Sequence, residues 1–208
     1  MMHLSRVELP WEAARNPYDI HRHLWRLFPG EAREARAGGD EAREGFLYRI
    51  ETQGAGRPAR LLLQSRRAPT HAEGVAVVAR KSFEPAPSEG QRLAFLLTAN
   101  PVKTIVDAQR DAKPGKQSDK CRVPLIKEED QRAWLARKLS AAAELESVEI
   151  LPHPPLYFRK GNRAGKLATC TFEGVLRVSS VEALGALLEN GVGPAKAFGC
   201  GLLLVRRI

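Results

Sequence analysis

The sequence GVGPAKAFGCG occupies residues 191–201 and runs directly into the apolar segment LLLV at residues 202–205. It contains two Gly-x-Gly pairs on either side of a lysine: Gly191, Gly193, Lys196, Gly199 and Gly201. Glycine allows the backbone to adopt positive φ or to lie close against a ligand. Successive exposed N–H groups form a concavity that binds anions, and Lys196 adds positive charge. We therefore expect this glycine loop to contact phosphate and to lead into a final strand.

A purely structural role for the glycine loop is the alternative. Gly191 suits the end of a helix, and Pro194 together with the glycines suits a tight turn before a last strand. A single Gly-x-Gly pair would favour that interpretation, whereas two pairs around a lysine favour a functional loop.

The composition indicates a globular protein with a polyanionic partner. The chain has 208 residues, 43% of them apolar, which suffices for one large domain or two domains of about 100 residues. Its net charge of +9 favours nucleic acid or an anionic membrane surface. We find no apolar run long enough to span a membrane, and charged residues stand where a signal peptide is apolar: Arg6, Glu8 and Glu12. We therefore expect a cytoplasmic protein without membrane contact.

The cysteines predict neither disulfides nor a zinc site. Cys121, Cys170 and Cys200 are odd in number, and none belongs to a Cys-x-x-Cys or Cys/His pair at ligand spacing. We expect no metal and no cofactor.

Hydrophobic periodicity predicts a similar element order in both halves of the chain. In the first half we predict a strand at 4–9 and a helix that is capped by Asn16 and runs to Phe28. Strands at 46–50 and 61–65 should then form a hairpin, followed by a short helix or strand at 75–78 and an edge strand at 80–83. The second half predicts a strand at 93–99, a basic excursion at 100–124, a helix at 128–144, strands at 148–151 and 167–178 with a bulge at Gly174, a helix from Ser180 to Leu188, and the final strand.

This order is that of the ferredoxin-like βαββαβ unit. We therefore predict an α+β protein of two tandem ferredoxin-like domains, at residues 1–87 and 88–208, joined at the linker 85–90. The second helix of the first unit is poorly marked.

Tyr18 and His21 lie three residues apart on the first predicted helix and share one face. Histidine titrates near neutral pH and is the commonest general acid or base, and a phenol can assist it. The alternative is structural, since an isolated helical histidine is usually a surface or packing residue. His23 points away from this face.

Several stretches in order along the chain resemble the CasE family, the guide-RNA-processing endoribonucleases of type I-E Cascade complexes. The glycine loop matches that family, and so do YDIH at 18–21, LWRLFP at 24–29, LLQS at 62–65, ANPVKT at 99–104, CRVPL at 121–125 and FEGVL at 172–176. The resemblance extends from Leu4 to Val205 and departs mainly in loop lengths, at 31–44 and 82–90.

The resemblance implies two ferredoxin-like domains and cleavage of CRISPR precursor RNA at the 3′ base of the repeat stem-loop. It implies a metal-independent reaction in which the 2′-hydroxyl attacks the neighbouring phosphate, leaving a 2′,3′-cyclic phosphate. The protein would then keep the guide-RNA hairpin and remain with other Cascade subunits. His21 falls on the family's catalytic histidine and Tyr18 on its supporting tyrosine.

A run between two predicted strands, RKGNRAGK at 159–166, carries four cations and no acidic residue: Arg159, Lys160, Arg163 and Lys166. We expect it to form a basic finger on the phosphates of the RNA stem, since an uninterrupted A-form major groove is too narrow to read. The alternative is a solvated turn. Lys103 and Arg122 flank the basic excursion and are weaker candidates for RNA contact, and Lys196 is the candidate on the glycine loop.

Two other functions are compatible with this architecture. One is a non-catalytic subunit that holds an RNA hairpin, with His21 structural. The other is a metabolic enzyme that binds a nucleotide on the glycine loop, which is disfavoured because the sequence has no carboxylate cluster for Mg²⁺ and no P-loop motif.

Overall fold

The computed structural model describes residues 2–30, 45–106 and 120–208. The predicted loop at 31–44 lies outside the described residues, as does the middle of the basic excursion at 107–119. Within the described ranges, no helix has the length and apolarity needed to cross a membrane.

The first sheet contains four antiparallel strands and packs against a short helical layer. In chain order its elements are β1 (Met2–Leu9), α1 (Trp11–Ala14), α2 (Pro17–Leu24), β2 (Phe46–Gly54), β3 (Arg57–Ser65) and β4 (Ala76–Phe83). The spatial order β2-β3-β1-β4 is that of a ferredoxin-like unit, which confirms the predicted fold of this half.

Local sequence explains the start and orientation of α2. Asn16 caps the helix by accepting a hydrogen bond from the Tyr18 N–H, and Pro17 occupies the first helical position. Ile20 and Leu24, four residues apart, are both fully buried under the first sheet. The predicted continuation toward Phe28 is a single 3₁₀ turn, Trp25–Leu27.

The second helix of the first unit is absent from the described residues. Residues 66–75 connect β3 to β4 without a helix, and Pro69 and Gly74 interrupt any helical run there. The segments predicted separately at 75–78 and 80–83 are joined, from Ala76 onward, in the single edge strand β4, which pairs with β1. Of the two alternatives left open for 75–78, the strand is confirmed and the helix is not.

The second sheet also contains four antiparallel strands, in the order β12-β5-β11-β8, which is again ferredoxin-like. This half consists of β5 (Arg92–Ala99), β6 (Val102–Val106), β7 (Lys120–Pro124), α3 (Glu128–Leu139), β8 (Ala143–Pro152), β9 (Leu156–Lys160), β10 (Arg163–Leu167), β11 (Cys170–Val178), α4 (Val181–Asn190) and β12 (Leu203–Arg207). Four apolar residues of the segment predicted as a helix at 128–144 are buried: Trp134, Leu135, Leu139 and Ala142.

Three predicted boundaries in this half need correction. The helix predicted to reach Glu144 ends at Leu139, because the following residues are recruited into β8 by pairing with β11. The strand predicted at 167–178 is two strands that belong to different sheets, β10 and β11. The irregularity expected at Gly174 lies between Val175 and Leu176.

Three excursions leave the same end of the second sheet. Cys170 at the start of β11 pairs with Ala99 at the end of β5 and with Pro152 at the end of β8. At this end lie a ribbon formed by β6 and β7, the basic hairpin formed by β9 and β10, and the glycine loop that precedes β12. The fold therefore brings together the segments that the sequence singled out for RNA contact.

The two domains contact one another directly. Gln64 on β3 donates its Nε2–H to the Leu188 carbonyl oxygen at the end of α4, at 2.6 Å. Arg66 and Glu189 form an ion pair at 2.7 Å. Residues 84–91 contain no helix or strand, and the boundary between residues 87 and 88 stays a prediction within that segment.

Candidate RNA-processing site

The glycine loop packs against side chains of β2. All four of its predicted glycines have positive φ, from 75° to 92°. A Cβ on Gly199 would lie 3.2 Å from Tyr48 Cε2, so the loop backbone packs directly on β2. The glycines therefore allow the loop backbone to pack closely on side chains of the first domain.

Hydrogen bonds within the protein use several of the N–H groups expected to face phosphate. Gly191 donates to Leu187 O, Gly199 to Lys196 O, and Gly201 to Thr98 O. These three N–H groups cannot also cradle a phosphate, which corrects part of the expectation for this loop. Its half-buried Lys196 remains a candidate cation.

The loop is held against α2 through a short 3₁₀ helix, Lys196–Phe198. The Tyr48 hydroxyl donates to Ala197 O at 2.7 Å. Phe198 then lies beside Tyr18 on α2, with ring centroids 6.3 Å apart. The glycine loop and the predicted catalytic helix thus form one surface.

Tyr18 of the first domain contacts both the basic hairpin and the glycine loop of the second domain. Its ring is stacked on Phe158 of the basic hairpin at 6.4 Å, and Phe158 contacts Phe198 at 4.5 Å. Lys160 Nζ lies 5.6 Å from the centroid of the Tyr18 ring, which places a cation beside the phenol.

His21, on the same side of α2, is half-buried among aromatic side chains of the first domain. Its ring lies 5.2 Å from Phe46, 6.5 Å from Tyr48 and 5.9 Å from Trp25. Tyr48 contacts His21 with its ring and the glycine loop with its hydroxyl. The predicted pair is therefore linked through the loop, although each member has its own aromatic neighbours.

The basic run at 159–166 is an antiparallel hairpin with a turn at Gly161 and Asn162. Its four predicted RNA-binding side chains are all exposed: Arg159, Lys160, Arg163 and Lys166. Residues paired across two antiparallel strands share a face. Lys160 pairs with Arg163 on the face that carries Phe158, whereas Arg159 and Lys166 belong to the other face.

A family profile described as "CRISPR associated protein" matches residues 2–207. The chain is 40% identical over 202 residues to the CRISPR system Cascade subunit CasE of Escherichia coli strain K12, covering 97% of this chain and 98% of that protein. It is 37% identical over 207 residues to the CRISPR-associated endoribonuclease Cse3 of Thermus thermophilus, covering 91% of this chain and 90% of that protein.

Comparison with solved structures agrees with these sequence matches. The crystal structure of Cas6e from E. coli K-12 matches with a TM-score of 0.83 and 37% identity, covering 99% of this chain and 100% of that one. The chain belongs to the CasE family. The resemblance predicted from the sequence motifs is thereby confirmed, and the match includes both domains.

The two candidate cations of the basic excursion, Lys103 and Arg122, lie on the ribbon of this CasE-family protein but not together. Lys103 on β6 pairs with Val123, and Arg122 on β7 pairs with Thr104. Neighbouring register positions alternate between faces, so the exposed Lys103 and Arg122 belong to opposite faces of the ribbon.

The buried cysteines of the CasE-family chain do not provide a nucleophile. Burial raises the pKa of Cys170 and of Cys200 to about 12, so both remain protonated thiols at neutral pH. All three cysteines are free. Across residues 2–30, 45–106 and 120–208, no group of three or more His, Cys, Asp or Glu side chains is arranged to hold a metal ion.

A groove of about 620 Å³ lies on the face of the second sheet opposite α3 and α4. Its lining includes Leu96, Glu173 and Leu204 but none of the predicted site residues. The candidate site of this CasE-family protein is instead an exposed surface, as expected for a large RNA.

Sequence reasoning missed three residues that shape the site. Phe158 and Phe198 flank Tyr18, and Asn16, predicted only as a helix cap, also contacts Arg159 in the basic hairpin. Both phenylalanines stand inside or next to segments singled out for their charge or glycine content. Their position in or beside those segments was the sequence feature that could have identified them.

Proposed function

We propose that this protein is the endoribonuclease that cuts CRISPR precursor RNA and then holds the mature guide RNA within a Cascade complex. Relatives named Cascade subunit CasE and endoribonuclease Cse3 support the assignment. The observation that carries it is the position of α2. The helix with Tyr18 and His21 lies between a hairpin rich in cations and the glycine loop.

The proposed reaction is an internal transesterification at the 3′ base of the repeat stem-loop. The 2′-oxygen forms a bond to the adjacent phosphorus as the bond from phosphorus to the 5′-oxygen breaks. A base accepts the 2′-hydroxyl proton, and an acid donates a proton to the leaving oxygen. The products are a 2′,3′-cyclic phosphate and a 5′-hydroxyl, and the step consumes no water.

Within this reaction His21 supplies one of the two proton transfers. Tyr18 either orients the 2′-hydroxyl or shares the proton transfer. Lys160 Nζ, 5.6 Å from the Tyr18 ring centroid, and Lys196 on the glycine loop supply positive charge for the phosphorane. Metal independence is part of this proposal, and no cofactor is assigned.

The charge pattern of the basic hairpin supports a polyanionic ligand. Lys160 and Arg163 are directly opposite in the ladder, and like charges in that position destabilise a free hairpin. Bound phosphates remove that repulsion and release counterions. We assign the hairpin cations to the RNA stem, with other Cascade subunits as protein partners and the cytoplasm as the location.

The decisive experiment uses a labelled repeat stem-loop RNA in excess EDTA. A second RNA carries a 2′-deoxy nucleotide immediately 5′ of the cleavage position mapped with the first. We expect both RNAs to bind equally, and only the all-ribose RNA to be cut, with a 2′,3′-cyclic phosphate end.

Other outcomes reject specific parts of the proposal. Cutting of the 2′-deoxy RNA would exclude the 2′-hydroxyl as nucleophile, and cleavage that requires divalent metal would exclude the metal-independent reaction. Tight binding of the matched repeat without any cleavage would instead identify a subunit that only holds the RNA hairpin.

A further inference from the structure

The side-chain amide of Asn16 uses its full hydrogen-bonding capacity at the contact between the two domains. Its Nδ2 donates to Asp19 Oδ2 at 2.8 Å and to the Arg159 carbonyl oxygen at 3.0 Å. Its Oδ1 accepts from the Arg159 N–H at 3.1 Å and from the Tyr18 N–H at 3.4 Å. An amide has two donor hydrogens and two acceptor lone pairs, and all four are engaged.

This arrangement links α2 to the basic hairpin through one backbone position. Arg159 directs both its N–H and its C=O at Asn16, so the amide acts as a strand partner on the outer edge of β9. Aspartate lacks the donor that meets the carbonyl oxygen, and serine is too short to meet both groups. Asparagine supplies the helix cap and the interdomain bridge together.

The bridge fixes the two hairpin residues that flank Arg159. Phe158 stacks on the Tyr18 ring at 6.4 Å, and Lys160 Nζ lies 5.6 Å from the same ring centroid. Both distances depend on where the Arg159 backbone is held relative to the start of α2. A shift of the hairpin would therefore move the RNA-binding cations relative to Tyr18 and His21.

We propose that Asn16 is a positioning residue: it holds the RNA-binding hairpin in the position relative to Tyr18 and His21 that cleavage requires. This inference rests on the proposed ribonuclease function. Asn16 contacts the Arg159 main chain and acts through the hairpin and α2, without a proton-transfer role of its own.

The test compares Asn16→Ser with Ser180→Ala. Serine at position 16 keeps a good helix cap and removes the bridge to Arg159. Ser180 caps α4 by accepting from the Ala183 N–H, so Ser180→Ala removes a cap and leaves the bridge intact. For each variant, hydrogen exchange of the peptide covering residues 156–167 is measured together with RNA affinity and the cleavage rate constant at saturating protein.

For Asn16→Ser we expect hydrogen exchange in the hairpin to rise about tenfold, since one interdomain anchor is lost. We expect the cleavage rate constant to fall about tenfold with less than about threefold change in Kd, because the cations remain while the geometry loosens. Ser180→Ala should change neither hairpin exchange nor cleavage.

Unchanged hairpin exchange in Asn16→Ser would overturn the inference, because the bridge would then not hold the hairpin. Faster exchange with native cleavage would overturn it as well, while leaving the proposed function intact. A native protein that binds the repeat RNA and does not cut it would overturn both.

Discussion

Gly193 in the glycine loop has a left-handed backbone, with φ of 78°, and faces a buried side chain of the second domain. A Cβ at this position would lie 2.8 Å from Cζ2 of Trp134, which is only 2% exposed. Positive φ costs an L-residue about 1–2 kcal/mol, and overpacking a core costs about 1–3 kcal/mol. We expect Gly193→Ala to lower the free energy of unfolding by about 2–5 kcal/mol, measured by urea denaturation.

Gly185→Ala is the matched control for that substitution. Gly185 lies within α4, and no atom would contact its added Cβ within 4 Å. Alanine is more favourable than glycine inside a helix, so this variant should be about 0.5–1 kcal/mol more stable than the native protein. A Gly193→Ala protein as stable as Gly185→Ala would show that the loop backbone is not constrained as described.

At the scale of elements, the two faces of the basic hairpin predict two different effects on RNA. Lys160 and Arg163 share the face that carries Phe158, beside Tyr18, and Arg159 and Lys166 share the other. We expect Lys160→Gln with Arg163→Gln to weaken binding and to slow cleavage of bound RNA. Arg159→Gln with Lys166→Gln should weaken binding only.

Affinity measured over a range of salt concentrations checks this expectation, with a double variant on β4 as the control. Each lost phosphate contact should reduce the slope of log K against log salt by about 0.7–1. Arg80 and Lys81 are exposed on β4, at the sheet edge opposite β2, and replacing both with glutamine should leave the slope unchanged. Equal effects from the hairpin and β4 variants would mean that overall charge, rather than the hairpin, determines binding.

Elements defined by a local sequence pattern were predicted, whereas boundaries and strands that depend on distant pairing partners were misplaced or missed. Asn16, Pro17 and the spacing of Ile20 and Leu24 define α2 by themselves. The end of α3 was placed too late, because the residues after Leu139 are good helix formers that β11 recruits into β8. The ribbon of β6 and β7 was missed, since its partner strands are separated by a long stretch of polar sequence.

The same distinction applies to the candidate site. Helical spacing alone predicted that Tyr18 and His21 share a side of α2. The surroundings of Tyr18 depend on contacts with Phe158 and Phe198, which are far along the chain and belong to the second domain. No local pattern encodes such contacts, and only the folded sheets bring them together.

At the scale of the whole molecule, one buried hydrogen bond contributes to the contact between the domains. Gln64 is 2% exposed and donates to Leu188 O at 2.6 Å. Gln64→Ala leaves that carbonyl oxygen without its partner and should lower the free energy of unfolding by about 1–3 kcal/mol.

Gln53→Ala provides the comparison, because Gln53 makes a similar bond to Ala14 O at 2.7 Å within the first domain and is itself exposed. This hydrogen bond is only partly buried, so water can partly replace the Gln53 amide, and urea denaturation should show a loss of about 1 kcal/mol or less. A larger loss for Gln53→Ala than for Gln64→Ala would contradict the importance of the domain contact.

The most direct test of the central claim measures the cleavage rate constant of a bound repeat stem-loop in EDTA for His21→Ala and His23→Ala. His23 is a second histidine on α2, half-buried and two residues further along, so its replacement controls for loss of an imidazole from the same helix. We predict that His21→Ala binds RNA with native affinity and cuts it about 10²–10⁴ times more slowly, whereas His23→Ala cuts at nearly the native rate. Native cleavage by His21→Ala, or equal losses in both variants, would contradict the assignment of the site to this face of α2.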